Sequence, residues 1–296
     1  MNLWANALSA LLEFAPPLVF AALGGVLSEK SGVVNIGLEG MMRFGAFFAA
    51  AVSIWTGSPW LGLAGGMLAG AAVAGVHALL SLRFRADQVV SGVALNLVAL
   101  GLITFLLEAL FGSAGVSPPA PQLPHTLLGH TALTWIALAA PFALHFFFTR
   151  TAAGLRVRAV GEHPKAAATL GVRVLRLRAL CVMGSGALAG LGGACLSVGI
   201  LGQFDSRMPA GQGFMALAAM VFGKWTPLGA GGAALFFAGA EALQRQLSFA
   251  LHASDLHLEG VFLALPYALT LLLLAASAGR TRAPAADGVP YEPEGR

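Results

Sequence analysis

Residues 31–47 read SGVVNIGLEGMMRFGAF, and this stretch decides the fold. It lies where one apolar run, 7–28, gives way to another, 41–57. Gly32, Gly37 and Gly40 weaken a helix there, while Val33, Val34 and Ile36 favour extended backbone. Asn35, Glu39 and Arg43 recur every four residues and would form a polar stripe on a helix. An ionisable group at mid-bilayer costs at least about 2.5–3.5 kcal/mol on insertion scales, so it turns toward a cavity or a partner. Two readings stay open. Either a membrane crossing is broken here, exposing backbone beside a pathway, or 29–40 is a surface loop with Glu39 and Arg43 as a plain i, i+4 pair.

Outward from this stretch, the chain reads as a membrane protein. Of 296 residues, 57% are hydrophobic and 10% charged, against about 25% charged in a soluble domain. The mean hydropathy is +0.80. A soluble enzyme, a disordered chain and a disulfide-stapled secreted domain are excluded. A spanning helix needs about 20 mostly apolar residues. The candidate runs are 7–28, 41–57, 60–82, 89–111, 131–149, 179–203, 208–223, 226–243 and 258–278. The expected class is all-α and polytopic, with eight to ten crossings over 1–278. The Gly/Ala strings 65–75, 184–194 and 229–240 read as surfaces for close helix packing.

Net charge is +4, and the basic residues set orientation rather than bind nucleic acid. Seven Lys or Arg fall in 150–178, others at Arg83, Arg85, Arg280 and Arg282, and none between Arg85 and Arg150. The expected topology puts 83–88, 150–178 and the tail 279–296 in the cytoplasm, and the Pro-rich loop 112–130 outside. The start has no basic n-region, so no cleaved signal peptide is expected. The tail is Pro-rich and polar and is expected to be disordered.

Two further motifs stand out. In GLRVRAVGEHPKAAATLGVRVLRLR (154–178), Pro164 suits a helix start and Gly171 a left-handed stop. The short helix between basic arms is either a positive-inside loop or a peg that docks into a cytoplasmic partner. In FDSRMPAGQGFMALAAMVFGKWTPLGA (204–230), Gly211 and Gly213 precede a short apolar run ending at Lys224 and Trp225, the latter an interfacial anchor. With 31–47 this gives one Gly-broken segment in each half, the sequence pointer to a pathway between repeats. Asn96, inside 89–111, is a second polar candidate, though a lone Asn mostly bonds a neighbouring helix. No P-loop, HExxH, CxxC or GxSxG string occurs, and the seven His show no metal-ligand spacing. No catalytic residue, metal site or resident cofactor is expected.

GVVNIGLEGMM (32–42), GEHPKAAATLGV (161–172) and GQGFMALAAMVFGKWTPLGA (211–230) together resemble the permease family of bacterial ABC importers for nucleosides and simple sugars. Its wider superfamily includes ribose and branched-chain amino acid permeases. The resemblance implies a type II importer-like fold with discontinuous helices in the inner membrane. It implies a two-module ATPase carrying ATP and magnesium, a second homologous permease in a heterodimer, and an external substrate-binding lipoprotein. By position, Asn35, Gly37, Glu39 and Gly40 fall on the pathway segment, joined here by Asn96 and Gly213. Gly161, Glu162, Pro164, Lys165 and Gly171 fall on the helix that couples to the ATPase. Gln212 stands where the family pattern has a basic residue. The rival cargoes are a sugar, an autoinducer or a branched-chain amino acid. The rival classes are an ion-coupled transporter with Glu39 as proton carrier, and a non-transporting scaffold.

Overall fold

The computed structural model describes residues 3–250 and 283–292. Helices α1 (Leu3–Glu29), α2 (Leu38–Thr56), α3 (Pro59–Arg83), α4 (Gln88–Phe111) and α5 (Ala132–Arg150) come first. They are followed by α6 (Ala152–Glu162), α7 (Pro164–Thr169), α8 (Val174–Leu201), α9 (Gln212–Phe222) and α10 (Pro227–Ala250). The last turns of α3 and α8 widen to π geometry. A small hairpin, β1 (His125–Leu127) with β2 (His130–Thr131), precedes α5. The class is all-α, as the composition implies. Eight of the nine apolar runs correspond to helices, and the ninth, 258–278, lies outside the described residues. Among the described residues, α1, α3, α4, α5 and α8 are long and apolar enough to cross a membrane by length and composition. The protein is a multi-pass membrane protein.

The centre is a trio, α2, α3 and α8, packed backbone to backbone. Gly66 faces the carbonyl of Gly45, which an added methyl would approach to 2.7 Å. Methyls at Gly45 and Gly70 would overlap the backbone of Gly190 and Gly186, and one at Gly193 the Met42 carbonyl. The Gly/Ala strings at 65–75 and 184–194 are therefore facing surfaces of one interface. Without side chains between them the helices reach a separation that larger residues forbid. Helix α1 lies against α8 and α10, with Gly24 close to the Ser185 carbonyl. At the end opposite the basic loops, the Pro-rich stretch runs along 198–206. Ser117 N donates to Phe204 O at 2.9 Å, and Leu123 N to Val198 O at 3.0 Å.

Two expectations need correction at the basic end. The arm before the short peg is itself a helix, α6, whose residues 154, 157, 160 and 161 form one buried face. Thr151 caps it, accepting from Gly154 N at 3.0 Å. The basic side chains on its other face hid that periodicity. The tail is not free: 283–292 is packed onto the protein, with Ala286 buried. It is held largely through its backbone N–H and C=O groups, with Tyr291 packed against Val160, Ala167 and Val174, and backbone partners leave no sign in composition.

Candidate functional site

Between α1 and α2 the chain leaves helical geometry from residue 30 to 37, yet most of this stretch is buried. Asn35 reaches Ser185, near the middle of the 28-residue α8, so the break lies midway along the bundle. Buried irregular backbone at such depth is tolerated only when protein supplies its hydrogen bonds. Here it does. Val34 N donates to Gln88 Oε1 at 2.7 Å, and Val33 O accepts from Ser28 Oγ at 2.7 Å. Val34 O lies 2.9 Å from His77 Nε2, which therefore carries the proton, leaving Nδ1 to accept from Ser91 Oγ. Asn96 spans the break: Nδ2 donates to Ile36 O at 3.0 Å and Oδ1 accepts from Gly40 N at 2.8 Å. Asn35 Oδ1 accepts from Gly37 N at 3.1 Å, and its Nδ2 donates to Ser185 Oγ at 3.0 Å. The surface-loop reading of 29–40 is thereby excluded.

The second break meets the first. From the opposite end, 202–211 descends to α9, whose 11 residues rise about 16 Å, roughly half the hydrocarbon thickness. Its N-terminus faces Glu39, whose carboxylate accepts from Gly211 N at 2.8 Å and Gly213 N at 2.7 Å. A carboxylate is favoured at that positive helix end. Gly213 is required by closeness: a methyl would lie 2.5 Å from Glu39 Cα. Gly211 is required by conformation, with φ +87°. Asn35 lies before α2 and Arg43 donates to Ser206 O, so the three residues do not form one helical stripe. Gln212 is 8% exposed, and its Oε1 has no hydrogen-bond partner.

Asn35, Gly37, Glu39, Gly40, Asn96 and Gly213 thus converge on one junction. Asn35 and Asn96 spend both ends of their amides on protein groups. In doing so they satisfy the backbone of the break. Gln88, His77 and Ser28 share that task. Their signal in the sequence was polarity inside apolar runs, without a pattern that linked them to 31–47.

The basic end holds a second cluster. Helix α7 starts at Pro164, and Gly171 follows it with φ +82°, as expected. Gly161 is pressed against the Lys30 carbonyl and leaves no room for a side chain. Its carbonyl accepts from Ala286 N at 2.8 Å, while Glu162 Oε2 accepts from Ala285 N at 3.2 Å. Arg178 is fully buried and donates to Ser31 O and Val289 O at 3.0 Å each, and to Ala286 O at 3.4 Å. Glu29 bonds Asp287 and accepts from Trp225 Nε1. Trp225 is thus tied to α1 and is not a simple interfacial anchor. Burial, then the Glu29 carboxyl, push Asp287 up to about 8. Lys165 lies along a cleft between α7 and Tyr291. Among the described residues no cluster of His, Cys, Asp and Glu could hold a metal ion.

The comparisons agree with this architecture. Residues 7–276 match the family described as branched-chain amino acid transport system / permease component. The guanosine ABC transporter permease protein NupQ of Bacillus subtilis is 43% identical over 95% of both chains. The nucleoside ABC transporter permease protein NupC of Lactococcus lactis is 36% identical over 95% of both chains. The putative glucose ABC transporter permease protein TsgC13 of Haloferax volcanii is 37% identical over 85% of this chain and 81% of its own. No solved structure matches significantly.

Proposed function

Since the chain belongs to the family of branched-chain amino acid transport system permease components, we propose that it is the membrane-spanning subunit of an ATP-driven importer of nucleosides. As an ABC permease it is a transport component and not an enzyme. Such a subunit works with an ATPase and a substrate-binding partner. The observation that carries the nucleoside reading is the 43% identity to a guanosine permease over nearly the whole chain.

The junction between the two breaks supports it. The Glu39 carboxylate is engaged by two N–H groups of the α9 N-terminus and Arg43 by the Ser206 carbonyl, so neither is left free for a charged cargo. A neutral, hydrogen-bonding cargo suits that arrangement. Gln212 Oε1 and Gln88 Nε2, both buried and unpartnered, are groups at the junction with capacity to spare. In the proposed cycle, ATP and magnesium act on a two-module ATPase. Its closure displaces α7, and α9 and the 30–37 break shift against each other. A second homologous permease completes the pathway, and an external lipoprotein delivers the cargo. Residues 83–88, 150–178 and the tail face the cytoplasm, in a bacterial inner membrane.

The 37% identity to the putative glucose permease favours a simple sugar as the second reading. Uptake of labelled guanosine by proteoliposomes holding the full complex separates the two. Guanosine uptake that needs ATP and resists excess glucose is the expected result. Competition by glucose but not by unlabelled guanosine refutes the nucleoside reading, and uptake driven by a proton gradient without the ATPase refutes the whole.

A further inference from the structure

Segment 283–292 is placed where a disordered tail has no reason to be. It lies across three elements distant in sequence. Its backbone pairs with Gly161 and Glu162 at the end of α6. Its carbonyls at Ala286 and Val289 receive the guanidinium of Arg178 from α8. Its Asp287 meets Glu29 at the end of α1. Arg178 also donates to Ser31 O, the first turn of the broken segment. A fully buried guanidinium that finds its acceptors in backbone carbonyls is costly to strand. With the segment lifted away, the Ala286 and Val289 carbonyls go with it and Ser31 O stays. The connection from α7 to α8 is loop at residues 170–173 and is exposed at Leu170 and Gly171. Beside that loop, α7 meets α6 and α8 through the small cluster of Val160, Ala167 and Val174.

We propose that segment 283–292 is a brace that makes α6 and α7 one body with the adjoining ends of α1 and α8. A displacement imposed on α7 then reaches the 30–37 break, with Arg178 as the positioning residue. This rests on α7 being the contact for the ATPase. The route is short: α7 to Gly161, Gly161 to Ala286, Ala286 to Arg178, Arg178 to Ser31. A parallel route runs from Asp287 through Glu29 to Trp225, just beyond α9.

The test uses the complete transporter in nanodiscs, with guanosine and its delivery protein. Truncation after residue 282 is expected to lower the stimulated-to-basal ATPase ratio about tenfold, the usual size of a coupling effect. Arg178→Lys keeps the charge but loses the fork, and is expected to lower the same ratio. Combining the two should be no worse than truncation alone, because both act on one link. A merely structural Arg178 would give additive losses and reduced membrane levels instead. In a background lacking Cys181 and Cys195, Arg85→Cys and Glu292→Cys, an exposed ion pair at 2.6 Å, joined by a short bis-maleimide should keep uptake, because the segment stays docked through the cycle. Full stimulation after truncation overturns the brace, and so does loss of uptake on cross-linking, which would mean that the segment must detach. If the unaltered complex shows no ATP-dependent guanosine uptake, the nucleoside-importer reading fails before the brace is tested.

Discussion

Replacing Glu39 is the sharpest perturbation of the junction. Glu39→Ala removes both acceptors from Gly211 N and Gly213 N, which stand 2.8 and 2.7 Å from the carboxylate. Hydrogen bonds to a charged group contribute about 1.5–3 kcal/mol each. The helix-terminus effect, about 0.3–2 kcal/mol, describes the same contact and is not added. Glu39 is half-buried, so the low end applies, and the pair contributes about 2–4 kcal/mol to seating α9. At 1.4 kcal/mol per tenfold, the seated position becomes about 30- to several-hundred-fold less favoured. Glu39→Gln keeps one acceptor, but its NH2 faces the other backbone N–H. It should lose about half that free energy, or roughly tenfold. Gly213→Ala pushes on the same contact from the other side and should resemble Glu39→Ala. The assay is guanosine uptake at matched membrane levels, with delivery-protein-stimulated ATPase beside it. Full activity in both Glu39 variants would show that the carboxylate is a dispensable charge, and the junction would lose its role.

Gly171→Val forces a β-branched residue to φ +82° with no new contact, since a Cβ there meets nothing within 4 Å. The strain alone costs about 1–2 kcal/mol. Stimulated ATPase should fall while Gly171→Asn, which tolerates that conformation, largely retains it, and Arg176→Gln on the exposed face should be neutral. Equal stimulation in the Val and Asn variants would remove the backbone argument. Single Cys residues at 165 and 122, in a Cys-free chain, should label from the inside and the outside of cells respectively, and labelling of 165 from outside would invert the topology. The Asp287 carboxyl is raised from 3.8 to about 8, so the docked segment binds a proton that the undocked one releases. Docking is therefore strongest below about pH 4 and weakens as pH rises from there to about 8, by up to about tenfold per unit. Mobility of a spin label at residue 289 should rise between pH 6 and 8.5, and Asp287→Asn should abolish that rise.

The sequence carried the crossings and both breaks because each violates its surroundings. Glycines, Asn35 and Glu39 inside an apolar chain have no lipid-facing solution, so a break was legible, though whether it is buried in protein or lies at the surface stayed open. Which groups meet across the break was not. Glu39 at i, i+4 from Arg43 looks like a local pair, and only the three-dimensional placement of Gly211 and Gly213 gives the carboxylate a better partner. Asn35 and Asn96 were legible as polar members of the junction, but apart from Ser185 Oγ the partners described for them are backbone amides and carbonyls, which leave no mark in a sequence. The same blindness hid the tail. Arg178 looked like one of seven orientation charges, because backbone acceptors at Ala286 and Val289 leave no trace in composition. Helix α6 was masked by Arg156 and Arg158, which sit on its solvent side and read as a charged arm.

The contact among α2, α3 and α8 has a mechanical consequence. Where Gly66, Gly70, Gly186 and Gly190 touch, there are no rotamers to re-sort and almost no side-chain entropy to lose or regain. Such a seam cannot yield gradually under load, since every increment of sliding drives carbonyl oxygens into neighbouring Cα atoms. Compliance is left to the stretches without that seam, residues 30–37 and 202–211, which flank α2 and α9. A stiff block of this kind would act as a lever, with the two irregular stretches beside it as the joints that take up a displacement.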